Sequence, residues 1–279
     1  MADDKQPIDR LWCYRFAVQD PETHAEVLRR MHAHGRPDRK ATVLREDFAG
    51  TAADSVAWIE AGPERRAIAV DIDAETVAWA RQRASGMLLD RIDRLTFHVA
   101  DVRAGGPPAV PPADIISVLN FSIGYLRTRS ELIAYFKHAR SCLSEGGILV
   151  MNAHGGGEIE RGSEQSSRIV PSPRSKREAV PPPFVFTWEQ SPINPVTSEI
   201  SCRIHFACEG VELRDAFVYR WRHWTLPELL DAALEAGFGE AKVWRHTFDP
   251  SRGAAGVFLG PVESFDGSGT WTAYVVARL

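Results

Sequence analysis

Residues 41–73 read ATVLREDFAGTAADSVAWIEAGPERRAIAVDID. ATVLRED (41–47) is a short β-rich run, Thr51 to Gly62 has helical character, and RRAIAVDID (65–73) is a second apolar run that ends in acid. The same rhythm continues downstream. Ala74 to Met87 reads as a helix capped by Asp73, and LTFHVAD (95–101) and ADIISVLN (113–120) read as strands. Thr128 to Ser144 reads as a helix whose start, Thr128-x-x-Glu131, fits a capping box. Gly146 ends it, and GGILVMNAH (146–154) is a fifth strand. Near-continuous apolar strands alternating with helices predict a parallel sheet covered on both faces.

Upstream, Asp20-Pro21-Glu22 starts a helix with Val27, Leu28 and Met31 on its apolar stripe. The segment Trp12 to Gln19 before it carries Trp, Tyr and Phe and is too short to form a core alone. Downstream of residue 154 the rhythm breaks. Residues 155–183 are rich in Gly, Ser, Pro and Arg and read as a mobile loop. FVFTWEQ (184–190), EISCRIHF (199–206) and VELRDAFVYRW (211–221) then alternate with period two, and Glu209-Gly210 sits where a hairpin turn would. They predict a small antiparallel sheet. Thr225-x-Pro227-Glu228 opens another helix that Gly237 closes, and AKVWRHTF (241–248) and WTAYVVARL (271–279) are two final strands with an antiparallel pairing expected.

Composition narrows the function classes. The 279 residues are 44% hydrophobic and 25% charged with a formal charge of −4, which excludes a disordered chain and gives no global sign of a nucleic-acid or anionic-membrane partner. No apolar run approaches the roughly 18 residues a spanning helix needs. MADDKQPIDR has no apolar stretch of the kind a secretory signal carries, so a cytoplasmic location is expected. Cys13, Cys142, Cys202 and Cys208 form no CxxC, so neither a disulfide scaffold nor a metal site is expected.

The first strand runs through Glu46-Asp47-Phe48-Ala49-Gly50-Thr51-Ala52 into a helix, a turn that lets a ligand approach backbone N–H groups. The second strand ends in Asp71, a carboxylate that could accept from a ribose diol, with Ile72 next to it; its alternative role is a helix cap. The third ends in Asp101-Val102, where acid and backbone N–H could read an adenine edge; its alternative is a surface loop acid. Acids at the carboxyl ends of three successive strands lie on the edge where ligands bind in such sheets.

This order of strand-end acids, followed by GGILVMNAH, resembles the class I S-adenosylmethionine-dependent methyltransferases over residues 40–155 and 225–279. The stretch from Val118 to His154 is similar to small-molecule N-methyltransferases, including those acting on amino-sugars and on glycine or sarcosine. The resemblance implies a Rossmann-like seven-stranded α/β sheet with an antiparallel last strand and an antiparallel β insert after strand five. It divides the chain into a helical cap (1–40), a cofactor-binding domain (41–155 with 225–279) and an inserted loop and β lid (156–224). It implies S-adenosylmethionine as cofactor, with Glu46, Phe48, Ala49, Gly50 and Thr51 at its methionine end, Asp71 and Ile72 at the ribose, and Asp101 and Val102 at the adenine. Phe48 and Ala52 stand where the family has glycines. Phe is penalised at positive φ, so the turn is expected to differ or to stay at negative φ, with Arg45 or Tyr14 compensating.

Methyl transfer from a sulfonium needs a positioned acceptor and a dry site, and an amine acceptor must arrive neutral. Candidate bases are His154 at the end of strand five, Tyr14 and Glu158; Asn120 and Tyr125 flank the end of strand four. Trp12 and the insert's Trp188, Tyr219 and Trp221, with Phe217 and Trp224 nearby, could wall an acceptor, and Arg203, Arg220 and Arg222 could hold a carboxylate or form a solvated face. Arg161, Arg168, Arg174, Lys176 and Arg177 make residues 161–183 locally basic, read as a lid in preference to an RNA site. The expected function is methyl transfer to a small-molecule amine. Its rivals are O-methylation, an RNA or protein methyltransferase, a nicotinamide oxidoreductase and a non-catalytic binding module. The first strand's poor glycine match argues against nicotinamide, and Asn120-Phe121-Ser122-Ile123 in place of Asn-Pro-Pro-Tyr argues against base-amine chemistry.

Overall fold

The computed structural model describes residues 8–34, 36, 38–107, 111–173, 177–247 and 257–279. Helices α1 (Arg10–Ala17) and α2 (Pro21–Ala33) lead into β1 (Val43–Asp47), α3 (Ala53–Glu60), β2 (Arg66–Asp71), α4 (Ala74–Leu88), β3 (Leu95–Val99) and β4 (Ala113–Val118). Then come α5 (Arg129–Cys142), β5 (Leu143–Gly155), the single turn α6 (Glu158–Arg161), β6 (Ser163–Ile169), β7 (Phe184–Gln190), β8 (Glu199–Cys208) and β9 (Val211–Arg222). The chain closes with α7 (Leu226–Glu235), β10 (Glu240–Thr247), β11 (Val257–Val262) and β12 (Trp271–Arg278).

The main sheet has the order β11-β10-β12-β5-β4-β1-β2-β3. Strands β1 to β5 are mutually parallel, while β12 runs antiparallel to both β5 and β10. An eighth strand joins the seven expected: β11 pairs with β10 along the edge. It arises within the loop read between the two final strands, of which residues 248–256 lie outside the described residues. One sheet face buries Tyr135, Phe136, Leu229 and Phe238 under α5 and α7; the other buries Leu28, Met31, Trp58 and Leu88 under α2, α3 and α4. The capping boxes of α5 (Thr128 with Glu131) and α7 (Thr225 with Glu228) both form.

The second sheet is antiparallel in the order β6-β7-β8-β9. Three of its strands were expected. The fourth, β6, corrects the reading of 155–183 as loop throughout: SEQSSRI has no apolar alternation, because this edge strand is held by backbone pairing to β7 and is mostly exposed. The loop after β6 is fastened as well, since Glu178 is buried between Arg15 of α1 (3.2 Å) and Arg83 of α4 (2.7 Å). Arg174 and Lys176 of the basic stretch, and the side chain of Glu158, lie outside the described residues. Cys13, Phe206, Tyr219 and Trp221 form the core between this sheet and α1. All four cysteines are buried, and among the described residues none is in a disulfide. Among the described residues no helix is long and apolar enough to cross a membrane.

Candidate active site

At the carboxyl edge of β1 to β4 lies a cavity of about 330 Å³. The turn after β1 forms its floor. Phe48 (φ 56°), Gly50 (φ 49°) and Ala52 (φ 51°) are all left-handed, so the turn keeps the conformation that glycines would favour, contrary to the expectation that Phe48 would force another. A left-handed L-residue costs about 1–2 kcal/mol. The surroundings hold it. Ala49 N–H donates to the Val70 carbonyl (2.9 Å), Ala52 N–H to the Ala49 carbonyl (2.8 Å), and Gly50 N–H to the Asp71 carboxylate (2.7 Å). The Phe48 ring stacks on Tyr125 with centroids 5.8 Å apart.

Asp71 also accepts from Asp73 N–H (3.0 Å), and burial raises its pKa despite these bonds. Asp101, at the end of β3, accepts a fork from the Arg103 guanidinium, and that hydrogen-bonded cation holds its carboxyl below the usual range. Ile72 lines the same cavity yet is 58% exposed, an apolar face left open beside Val102. Thr51 donates to Gln19 (2.5 Å), which joins the wall. From above, α1 contributes Leu11 and Tyr14, one helical turn apart. Burial pushes the Tyr125 hydroxyl up to about 12 and raises Tyr14 and Tyr219 as well, so all three phenols are neutral donors.

A second cavity, of about 490 Å³, adjoins the first. Both are lined by Tyr14, Asn120, Tyr219 and Trp221. The second adds the rings of Phe121, Phe186 and Trp188, and the uncharged polar groups of Asn152, Gln165 and Ser166. Period-two alternation on β9 sends Phe217, Tyr219 and Trp221 to one face, where Tyr219 and Trp221 stack at 4.4 Å. Gly124 lies directly behind Trp221: a Cβ there would stand 2.7 Å from the Trp221 Cβ. Asn120 (φ 53°) and Phe121 (φ 61°) are consecutive left-handed residues at the seam between the cavities, tied down by Phe121 N–H donating to Asn152 Oδ1 (2.8 Å).

Four expected site residues fall elsewhere. Arg45 is fully buried and turns away from the cavity to pair with Asp47 (2.7 Å) and donate to the Pro107 carbonyl (2.6 Å). Glu46, on the opposite face of β1, accepts from Ser55 N–H (2.8 Å) and Oγ (2.5 Å) and so caps α3. Trp12 packs edge-on against Trp79 of α4 (5.3 Å), because two residues along a helix turn it about 200° from Tyr14. His154 lines neither of these two cavities. Its ring packs on Phe121 (4.3 Å), and burial beside His223 drives its pKa down to about 4. It is therefore neutral and far too weak a base to deprotonate an ammonium group. By contrast Phe48, Ala49, Gly50, Thr51, Asp71, Ile72, Asp101, Val102, Asn120 and Tyr125 share the first cavity, and Trp188 lines the second.

The architecture has solved counterparts. The amino pentose methyltransferase CalS10 of Micromonospora echinaspora, bound to S-adenosylmethionine, matches over 95% of this chain and 94% of its own at 16% identity and a TM-score of 0.64. DesVI of Streptomyces venezuelae matches over 97% and 98% at 16% identity and a TM-score of 0.67. The sugar N-methyltransferase KedS8 of a Streptoalloteichus species matches over 100% and 95% at 17% identity and a TM-score of 0.63. The chain has the fold of these methyltransferases. The likeness spans both sheets, so the insert belongs to the shared architecture. No family model matches the sequence. No curated protein matches it either.

Sequence reasoning missed Gln19, Arg103, Phe121, Asn152 and the β6 residues Gln165 and Ser166 as cavity walls. It also missed His24 and Asp54. His24 lines the second cavity, and its Nδ1 lies 3.0 Å from the buried Asp54 carboxylate. The signal was present. His24 stands four residues before Leu28 and seven before Met31, on the apolar stripe of α2, and Asp54 is an acid in the first turn of the largely apolar α3.

Proposed function

We propose that this protein is a methyltransferase that moves the methyl group of S-adenosylmethionine to an amine nitrogen on a hydroxylated, sugar-like small molecule. The observation that carries this reading is the pair of cavities meeting at Tyr14, Asn120, Tyr219 and Trp221, one bordered by strand-end acids, the other by aromatic rings and hydrogen-bonding side chains. A size of about 330 Å³ falls within the roughly 300–1,000 Å³ of small-molecule sites.

The donor set fits the cofactor. Asp71 would accept from the ribose hydroxyls, the open Ile72 face and Val102 would sandwich the purine, and Asp101, whose oxygens keep acceptor capacity beyond Arg103, would take its amine. The turn from Phe48 to Thr51 would meet the methionine end. When bound, its sulfonium would supply an electrophilic methyl group for the acceptor nitrogen. Tyr14 and Tyr125, both neutral and both lining this cavity, would stand beside that centre.

In the second cavity, the Trp188, Tyr219 and Trp221 rings suit the C–H face of a sugar ring, and Asn152, Gln165 and Ser166 suit its hydroxyls. The named actions of CalS10 on an amino pentose and of KedS8 as a sugar N-methyltransferase support an amine on a sugar. The core of 41–155 and 225–279 would hold the cofactor, 156–224 the acceptor, and 1–40 would close over both. With little net charge to attract polyanions, small molecules are the expected partners, and the cytoplasm the expected location.

Thermal unfolding with S-adenosylmethionine, S-adenosylhomocysteine and NAD tests the cofactor. Ligand at 100 times its Kd stabilises by about 2.7 kcal/mol, so the adenosyl compounds should raise Tm and NAD should not. Methyl-labelled cofactor with 2-, 3- and 4-amino-deoxyglucoses should then label an amine and leave glucose unlabelled. Absence of any adenosyl-dependent shift would refute the reading.

A further inference from the structure

One wall of the acceptor cavity carries His24, paired with the buried Asp54, an arrangement that the strand-end acids do not explain. His24 of α2 places Nδ1 at 3.0 and 3.1 Å from the two carboxylate oxygens of Asp54 on α3. Its side chain is 11% exposed, and that of Asp54 2%. With Nδ1 donating to Asp54, the neutral ring carries its lone pair on Nε2. Among the described residues nothing hydrogen-bonds Nε2, and the ring lines the acceptor cavity with Thr23, Asn152 and Trp188. His24 does not line the cofactor cavity.

We propose that His24 is the base that strips the acceptor's ammonium group of its proton, with Asp54 as the positioning residue; this rests on the amine methyltransferase reading above. An amine that enters as R–NH3+ has no lone pair to attack with. Nε2 takes one proton, leaving R–NH2, and Asp54 stabilises the imidazolium. After methylation the product leaves as a secondary ammonium ion, and His24 returns its proton to solvent, so one proton is released per turnover.

The groups around His24 suit this role. Burial lowers its pKa, Asp54 raises it through charge and hydrogen bond, Asp20 at the start of α2 adds to that, and Arg15 of α1 opposes; the balance is upward. Glu46 of β1 lies beside Asp54, where burial and that neighbour raise its own pKa, and Tyr274 of β12, near Asp54 and Asp20, is raised by burial and so neutral. A raised imidazole pKa brings the base closer to that of the amine it must deprotonate. His154, held near 4 and covered by Phe121, lacks both properties.

The test uses the full chain, saturating S-adenosylmethionine and the 2-, 3- and 4-amino-deoxyglucoses as acceptors. His24→Asn should lower kcat/KM about 100-fold at neutral pH. The deficit should shrink as pH rises and solvent itself supplies free amine. The thermal shift with S-adenosylhomocysteine should match that of wild type, which reports a folded variant. In Asp54→Asn, ring-nitrogen NMR should show the His24 titration midpoint moved down, and the acid limb of kcat/KM should move down with it. Three results overturn the proposal: wild-type kcat/KM in His24→Asn at every pH, a deficit constant with pH, or a His24 midpoint indifferent to Asp54. If wild type binds S-adenosylhomocysteine but methylates none of these amines, the acceptor reading fails and the base falls with it.

Discussion

At the scale of single residues, the turn after β1 shows how strain is held at the floor of a cavity. Phe48 and Ala52 both adopt φ above 50°, where an L-residue is disfavoured. Phe48 persists there because its ring packs between Tyr125 and Tyr135 while the flanking amides are committed to Val70 and Asp71. This predicts an inverted order of substitutions. Phe48→Ala keeps the strain and loses the ring, whereas Phe48→Gly loses the ring and the strain together. The glycine variant should be about 1 kcal/mol more stable than the alanine variant in urea denaturation, although glycine costs roughly 0.5–1 kcal/mol relative to alanine in regular structure. Alanine proving the more stable would mean that the left-handed turn is not maintained.

At the scale of elements, α1 has eight residues and needs fastening to serve as a wall. Asp9 caps it by accepting from Leu11 N–H and also accepts from Trp79 Nε1 (2.8 Å). On the far side Arg15 and Arg83 share the fully buried Glu178. Replacing both cations and the acid with apolar groups could be harmless; removing the acid alone leaves two buried cations together. Glu178→Ala should therefore cost about 3–5 kcal/mol in denaturant unfolding and weaken S-adenosylhomocysteine binding, because Leu11 and Tyr14 ride on α1. A loss below about 1 kcal/mol would place this cluster with ordinary surface ion pairs. The insert strand β9 is braced differently: Gly124 leaves the space that Trp221 fills.

At the scale of the whole molecule, the site is a junction of two sheets. The main sheet supplies Asp71 and Asp101 at its carboxyl edge, and the second sheet brings Trp188, Tyr219 and Trp221 over it. Because Trp188 lines only the second cavity and Asp101 only the first, their effects should separate. Trp188→Ala should raise the KM for the proposed amino-sugar acceptor several-fold and leave the S-adenosylhomocysteine thermal shift intact. Asp101→Asn should reduce that shift and leave acceptor KM nearly unchanged at saturating cofactor. Loss of cofactor binding in Trp188→Ala would show that the two cavities act as one.

What the sequence by itself determined is the sheet that carries the site. Apolar runs alternating with helices specify parallel strands, and an acid following such a run falls at its carboxyl edge whatever packs around it, so Asp71 and Asp101 were legible. The alternation of β8 and β9 was legible for the same reason: its period is local. Tertiary structure decided the rest. Strands β6 and β11 join sheet edges through backbone pairing, which leaves little mark on side-chain pattern. The turning of Arg45 and Glu46 away from the cavity is set by contacts on the two faces of β1, Arg45 with Asp47 and the distant Pro107 carbonyl, Glu46 with Ser55 of α3. His24 and Asp54 are 30 residues apart on separate helices, and only the packing of α2 on α3 joins them. Local periodicity states which way a side chain faces from its own element, and contact with a partner distant in sequence is settled only when the elements pack.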